Sequence, residues 1–240
     1  MSLAYIKENL NAVRREITAA EQAVGREGKT LMLAAVKYGS DAELSELLAR
    51  GVTHVGENRV QQLLEHYPVL QRGGAKIHFI GSLQTNKVKY IIDKVEMIHS
   101  VDSLRLAAEI DKRARQHGTV MDVLVEVNAA REEAKTGVMP EQAEELCRAV
   151  LALPGLRLCG VMTMGPVMED DSAYQAYFSE VRRFALALWQ RLGLADAPVL
   201  SMGMSHSFCP AVRAGADIVR VGRRLFAQPE QNEKNDSVSR

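Results

Sequence analysis

Residues 31–41 read LMLAAVKYGSD. Six apolar residues run into a lysine and then into a Tyr-Gly-Ser-Asp turn. A short apolar run bounded by turn residues is the pattern of a strand buried on both faces. The turn after it separates two architectures. An open, doubly wound sheet would place a GxGxxG turn here to cradle a dinucleotide, and KYGSD does not supply one. Asp41 then stands at the cap or first turn of a helix over 41–50, closed by Gly51.

The same strand–helix unit repeats outward from this stretch. Upstream, Ile6, Leu10, Val13, Ile17 and Ala20 fall at helical spacing and predict a helix over 3–26. Downstream, strands are predicted at 53–55, 76–80, 95–100, 120–128, 157–162, 199–202 and 217–222. Helices are predicted at 58–66, 84–93 and 103–116, from Pro140, at 172–192 and, briefly, at 209–214. Each of the first seven strands is followed by a helix, which is the pattern of parallel βαβ units. Eight units in 240 residues favour a closed barrel, which typically takes about 250 residues. The predicted fold is α/β, a single (β/α)8 barrel over 1–228 with an extra N-terminal helix. The polar segment PEQNEKNDSVSR (229–240) is expected to be a disordered tail.

Composition removes several function classes. The chain has 30 basic and 30 acidic residues, so nothing in its charge favours nucleic acid or an anionic membrane. No apolar run approaches the roughly 20 residues of a membrane span, and the N-terminus MSLAYIKENL lacks the apolar core of a signal peptide. Three widely spaced cysteines without a CxxC argue against disulfides and a zinc site, and fit a reducing cytoplasm. No set of His, Asp or Glu has metal-ligand spacing, so no metal is expected.

Barrel chemistry gathers at the C-terminal ends of the strands. Lys37 ends the first strand. There it either snorkels to solvent or serves as a partly buried amine that attacks a carbonyl to form a Schiff base. The stretch alone does not choose. The loops after strands seven and eight are where such barrels often bind phosphate. SMGMSHS (201–207) offers a glycine and hydroxyls before a short helix, and RVGR (220–223) offers a glycine between arginines; ordinary turns read the same way. Arg220 points into the mouth or pairs with a strand-end carboxylate. His78 and His99 read as packing residues, and Glu57 and Asn58 as capping residues beside a helix start. Met162, Met164, Met202 and Met204 line the pocket or fill the core.

These strand ends carry a resemblance. AAVK at Lys37, HVGENRVQQ (54–62), HFIGSLQTNK (78–87), HSVD (99–102), VEVNAAREEAKTG (125–137), GVMTM (160–164), LSMGMSHSF (200–208) and VRVGRRLF (219–226) resemble the YggS/PROSC family of pyridoxal phosphate homeostasis proteins. The match runs in order from about residue 31 to 226. The resemblance implies a barrel similar to the N-terminal domain of alanine racemase, with pyridoxal 5′-phosphate (PLP) held as a Schiff base on Lys37. By motif position, Arg220 faces the pyridine nitrogen, Ser201, Ser205, Gly222 and Arg223 surround the phosphate, and Asn58 lies near the ring. Lys135, in KTG, is implied as a secondary lysine. The chain departs from the usual pattern at Ala35, at KYGS, at Ser82, at Ser207 and at Arg223, where a small hydroxyl residue is common.

The resemblance implies a PLP-binding protein for intracellular homeostasis that stores, delivers or buffers the cofactor, with no catalytic residue. It is expected to be cytoplasmic and monomeric, with apo PLP-dependent enzymes as partners. The alternative is a PLP-dependent amino-acid racemase. Only about 14 residues follow Phe226, so no C-terminal domain is expected to supply a second acid/base, and strand alternation is expected to turn Tyr38 away from Lys37. A remoter alternative is a cofactor-free Schiff-base aldolase using Lys37.

Overall fold

A computed structural model describes residues 3–132 and 134–228. In chain order its elements are helix α1 (Ala4–Gln22), strand β1 (Leu31–Ala35), α2 (Asp41–Ala49), β2 (His54–Glu57), α3 (Val60–Arg72) and β3 (Lys76–Phe79). A 3₁₀ helix (Thr85–Tyr90), β4 (Met97–Val101), α4 (Leu104–Gln116), β5 (Met121–Glu126), α5 (Pro140–Leu151) and β6 (Leu156–Met162) follow. The chain then forms α6 (Asp171–Leu192), β7 (Val199–Met204), α7 (Phe208–Arg213), β8 (Ile218–Val221) and α8 (Arg223–Phe226). The eight strands are parallel and close in sequence order, with β1 hydrogen-bonded to β8 in the register Leu31↔Ile218 to Ala34↔Val221. The predicted barrel and its leading helix are therefore present. The expected tail, 229–240, lies outside the described residues.

Two apolar regions hold the barrel together. The larger lies between strands and helices. Leu44 and Leu47 of α2, Leu63 and Leu70 of α3, Ile110 of α4 and Leu188 of α6 are buried there against outward strand residues such as Val55, Ile77 and Val123. The smaller, inside the barrel, contains Leu33, Ala35, Ile80 and Ile218. Barrel interiors are ordinarily filled by layers of branched apolar side chains. Beside this small cluster the interior is polar, with His78, His99, Ser201, Glu126 and Arg220 all buried.

Helix α1 buries Ile6, Leu10, Val13 and Ile17 along one face, packing against α7 and α8. Its Asn9 donates to the carbonyls of Leu225 (3.2 Å) and Ala227 (2.8 Å), and Glu16 takes both guanidinium arms of Arg224. The N-terminal helix thus fastens the segment after β8, beside the mouth.

Three elements differ from expectation for physical reasons. The helix expected over 84–93 is a 3₁₀ turn. Thr85, Val88 and Ile91 recur every three residues, the 3₁₀ period, and their β-branched side chains favour the α-helix less. β1 ends at Ala35, two residues short, because Gly39 N–H closes a turn onto Val36 O at 2.9 Å. A short α8 follows β8, where the sequence showed no helical period long enough to read.

Candidate functional site at the barrel mouth

The ends of β1, β2, β3, β6, β7 and β8 enclose one cavity. Lys37, Tyr38, Asn58, Ser205, Arg220, Gly222 and Arg223 line it, with Ile80, Met164 and Met204 as apolar walls. Six of the seven residues expected to meet the cofactor therefore share one pocket. The seventh, Ser201, does not line it. It is fully buried beneath Arg220, where its hydroxyl accepts from Arg220 Nη1 at 2.7 Å and meets His99 Nδ1 at 3.0 Å. Alternation along β7 turns the Ser201 side chain into the barrel interior, below the turn that carries Ser205 and away from the cavity lining where a phosphate contact was expected.

Lys37 is exposed, on the turn just beyond β1. Of the two readings left open for Lys37, the solvent-reaching one is what the structure holds, because the strand stops at Ala35. The turn is pinned from α3, where Gln62 Nε2 donates to Lys37 O at 2.7 Å. Tyr38 does not face away from Lys37. Strand alternation no longer applies in a turn, and Lys37 Nζ lies 4.7 Å from the centre of the Tyr38 ring. A hydrogen bond with Lys37, reinforced by the charges of Lys37 and Arg223, holds the Tyr38 hydroxyl below its ordinary value.

Asn58 is held by close backbone packing. A Cβ on Gly81 would lie 2.1 Å from Asn58 O, so only glycine lets the loop after β3 approach it. Asn58 Oδ1 is buried without a hydrogen-bond partner, an atom that costs stability unless something donates to it. Neither Glu57 nor Asn58 caps α3, which begins at Val60 after Arg59. Glu57 instead meets His66 Nδ1 at 2.6 Å, and burial raises its carboxyl above the ordinary range.

On the opposite wall, Ser205 Oγ accepts from Gly222 N–H at 3.3 Å. Gly222 is needed because a Cβ there would sit 2.8 Å from Ala35 O. Arg223 is exposed and donates to His206 Nε2 at 3.0 Å. It remains at the rim of the cavity, where its charge adds to that of Lys37.

Arg220 forms the floor. It is 4% exposed. Nη1 donates to Ser201 O (2.9 Å) and Nη2 to Thr163 O (2.9 Å). Among the described residues no carboxylate forms an ion pair with it, so the ion-pair alternative is not what the structure holds. Burial lowers it to about 10, opposed by the Glu126 charge, so it stays a cation at neutral pH. Glu126 accepts from Thr136 Oγ1 at 2.6 Å and is itself raised by burial.

His78 and His99 are more than packing residues. His78 Nδ1 meets His99 Nε2 at 2.9 Å, and His99 leads on to Ser201. Burial lowers His78 to about 4 and His99 well below its ordinary value, so both are neutral. One sequence signal could have found them: His78, His99, Ser201 and Arg220 all occupy inward positions of their strands. Lys135 stays outside the cavity, with Nζ held by Glu132 (2.6 Å) and Gly165 O (3.2 Å). Among the described residues no group of side chains is arranged to hold a metal ion.

A closed parallel barrel with an exposed lysine just after β1, a buried arginine on β8 and a polar turn after β7 defines a barrel of the alanine racemase N-terminal type. The "Alanine racemase, N-terminal domain" family matches residues 8–228, and the chain belongs to that family. Within it, the chain is 42% identical over 222 residues to the pyridoxal phosphate homeostasis protein of Aquifex aeolicus, covering 92% of this chain and 97% of that one. It is thus also a member of the pyridoxal phosphate homeostasis protein family. The solved structure of PipY from Synechococcus elongatus PCC7942, with PLP bound, superimposes with a TM-score of 0.81 at 29% identity over 92% of this chain and 100% of that one. An alanine racemase of Clostridium difficile superimposes at 0.73 with 18% identity, over 94% of this chain and 57% of that one, a likeness of fold.

Proposed function

We propose that this chain binds PLP at the barrel mouth, with Lys37 as the attachment point, and serves PLP homeostasis by storing and handing on the cofactor. The observation that carries this reading is the set of groups around one cavity: an exposed amine, an unpartnered buried amide oxygen on Asn58, a cationic rim and an arginine floor. The residues fit the cofactor group by group. When bound, PLP supplies an aldehyde to which an amine attaches reversibly.

In this reading Lys37 Nζ, in its unprotonated form, is the nucleophile, since only the free amine attacks a carbonyl, and the neighbouring Tyr38 takes the amine's proton only as the phenolate, the form that the cationic surroundings favour. Ser205 Oγ, the Gly222 N–H and the Arg223 side chain hold the phosphate, and Asn58 orients the ring. Arg220 donates toward the ring nitrogen. A guanidinium has no proton to give up at neutral pH, so that nitrogen stays unprotonated and the ring is a weak electron sink. This favours holding over turnover. The position of Tyr38 points the same way. Lys37 and Tyr38 share one turn and approach from one side, whereas racemisation requires proton-handling groups on opposite faces of the reacting carbon.

Among the described residues no helix is long and apolar enough to cross a membrane. A cytoplasmic, monomeric carrier that loads apo PLP-dependent enzymes is the form of the function we favour. The test is to load the protein with PLP, add an apo-enzyme and a trap for free PLP, and follow recovery of the acceptor's activity. Reactivation despite the trap supports delivery. Reactivation abolished by the trap would reduce the role to storage, and deuterium exchange at Cα of amino acids well above a Lys37→Ala control would point to the racemase alternative.

A further inference from the structure

Four polar groups form a continuous line through the barrel interior. Arg220 Nη1 lies 2.7 Å from Ser201 Oγ, which lies 3.0 Å from His99 Nδ1, and His99 Nε2 lies 2.9 Å from His78 Nδ1. All four side chains are buried. The lower end meets the edge of the His54 ring, 5.4 Å between centroids.

The direction of every proton on this line follows from its top. A guanidinium only donates, so Ser201 Oγ accepts from Arg220. The one hydroxyl hydrogen of Ser201 is then free to go to His99 Nδ1. His99 must therefore carry its own proton on Nε2 and donate it to His78 Nδ1, leaving the His78 proton on Nε2. A proton added to His99 Nδ1 would aim a second cationic donor at Ser201 Oγ and leave the hydroxyl hydrogen without a partner, a costly arrangement in a buried site.

We propose that His99 and Ser201 are positioning residues, and that this one-way chain of neutral histidines fixes the Arg220 guanidinium at the floor of the cofactor cavity. Without Ser201 Oγ and the histidine behind it, Nη1 keeps only the Ser201 carbonyl, and the guanidinium can turn within its plane. The proposal rests on the PLP-binding reading for its consequence but not for the chain itself.

The test therefore has two arms. In the apo protein at neutral pH, ¹⁵N–¹H NMR of the histidine rings is expected to show His78 and His99 neutral with the proton on Nε2. A charged ring, or a proton on Nδ1 of either, would overturn the chain. In the loaded protein, the ¹⁵N resonance of ring-labelled PLP is read in Arg220→Gln, Ser201→Ala, His99→Phe and His99→Gln. Ser201→Ala and His99→Phe are expected to shift it toward the Arg220→Gln value and weaken binding on the order of ten-fold. The loss corresponds to one charge-assisted hydrogen bond. His99→Gln, whose amide can accept from Ser201 and donate to His78, should restore both. A shift in Arg220→Gln without one in Ser201→Ala or His99→Phe overturns the positioning role. No shift in Arg220→Gln overturns the placement of Arg220 against the ring, and the positioning role with it, whatever the tautomers.

Discussion

Lys37 Nζ lies 4.7 Å from the centre of the Tyr38 ring, so the two side chains at the mouth work as neighbours. Tyr38→Phe keeps the ring and removes the hydroxyl. We expect slower loading of PLP, a few-fold loss of affinity corresponding to about 1 kcal/mol for one hydrogen bond, and little change in Tm. Stopped-flow loading and equilibrium titration check this.

The neutral histidines make stability depend on pH. His78 falls to about 4 in the folded protein from an ordinary value of 6.5, and His99 is shifted the same way, chiefly by burial. Between those values the unfolded chain binds protons that the folded chain refuses, so stability rises with pH across the window and is lost as pH falls. For His78 the slope inside that window is on the order of 1 kcal/mol per pH unit, and His99 adds to it in the same direction. Urea unfolding of the apo protein from pH 7 to pH 4 should show a shallower slope in both His78→Phe and His99→Gln, each losing the share of the histidine it removes.

The contact between Gly81 and Asn58 predicts a coupled defect. Gly81→Ala drives a methyl group into Asn58 O, a backbone atom that cannot give way cheaply. We expect a Tm drop equivalent to about 1–3 kcal/mol together with weakened PLP binding. Asn58→Ala should weaken binding while leaving stability unchanged or improved, since it removes a buried oxygen that has no partner.

Lys135 should be separable from Lys37. Its amine is tied to Glu132 and Gly165 O outside the cavity. Lys135→Ala is expected to retain PLP at Lys37 with unchanged stoichiometry by visible absorption, and a loss at Lys37 would show that the two lysines act together.

Much of the barrel was legible in the sequence because each strand is a short apolar run and α1 repeats at 3.6 residues. The 3₁₀ turn at 85–90 was not, since a three-residue period in β-branched residues looks helical over so short a span. At the site, strand ends pointed to Lys37, Ser205, Arg220 and Gly222. Ser201 and Ser205 read as one polar stretch in the sequence, but Ser201 lies within β7, buried beneath Arg220, whereas Ser205 follows the end of the strand and lines the cavity. Tyr38 was misread because β1 ends at Ala35, before the alternation reaches it. The link from His78 to Arg220 joins strands three, four, seven and eight, and no local pattern records contacts that only closure of the barrel creates.

The attachment of PLP to Lys37 is tested most directly by reducing the loaded protein with borohydride and mapping the modified peptide by mass spectrometry. The label is expected on Lys37, with Lys37→Ala losing both the label and the visible absorption. A label on another lysine, with Lys37→Ala still binding one equivalent of PLP at the wild-type affinity, would contradict it.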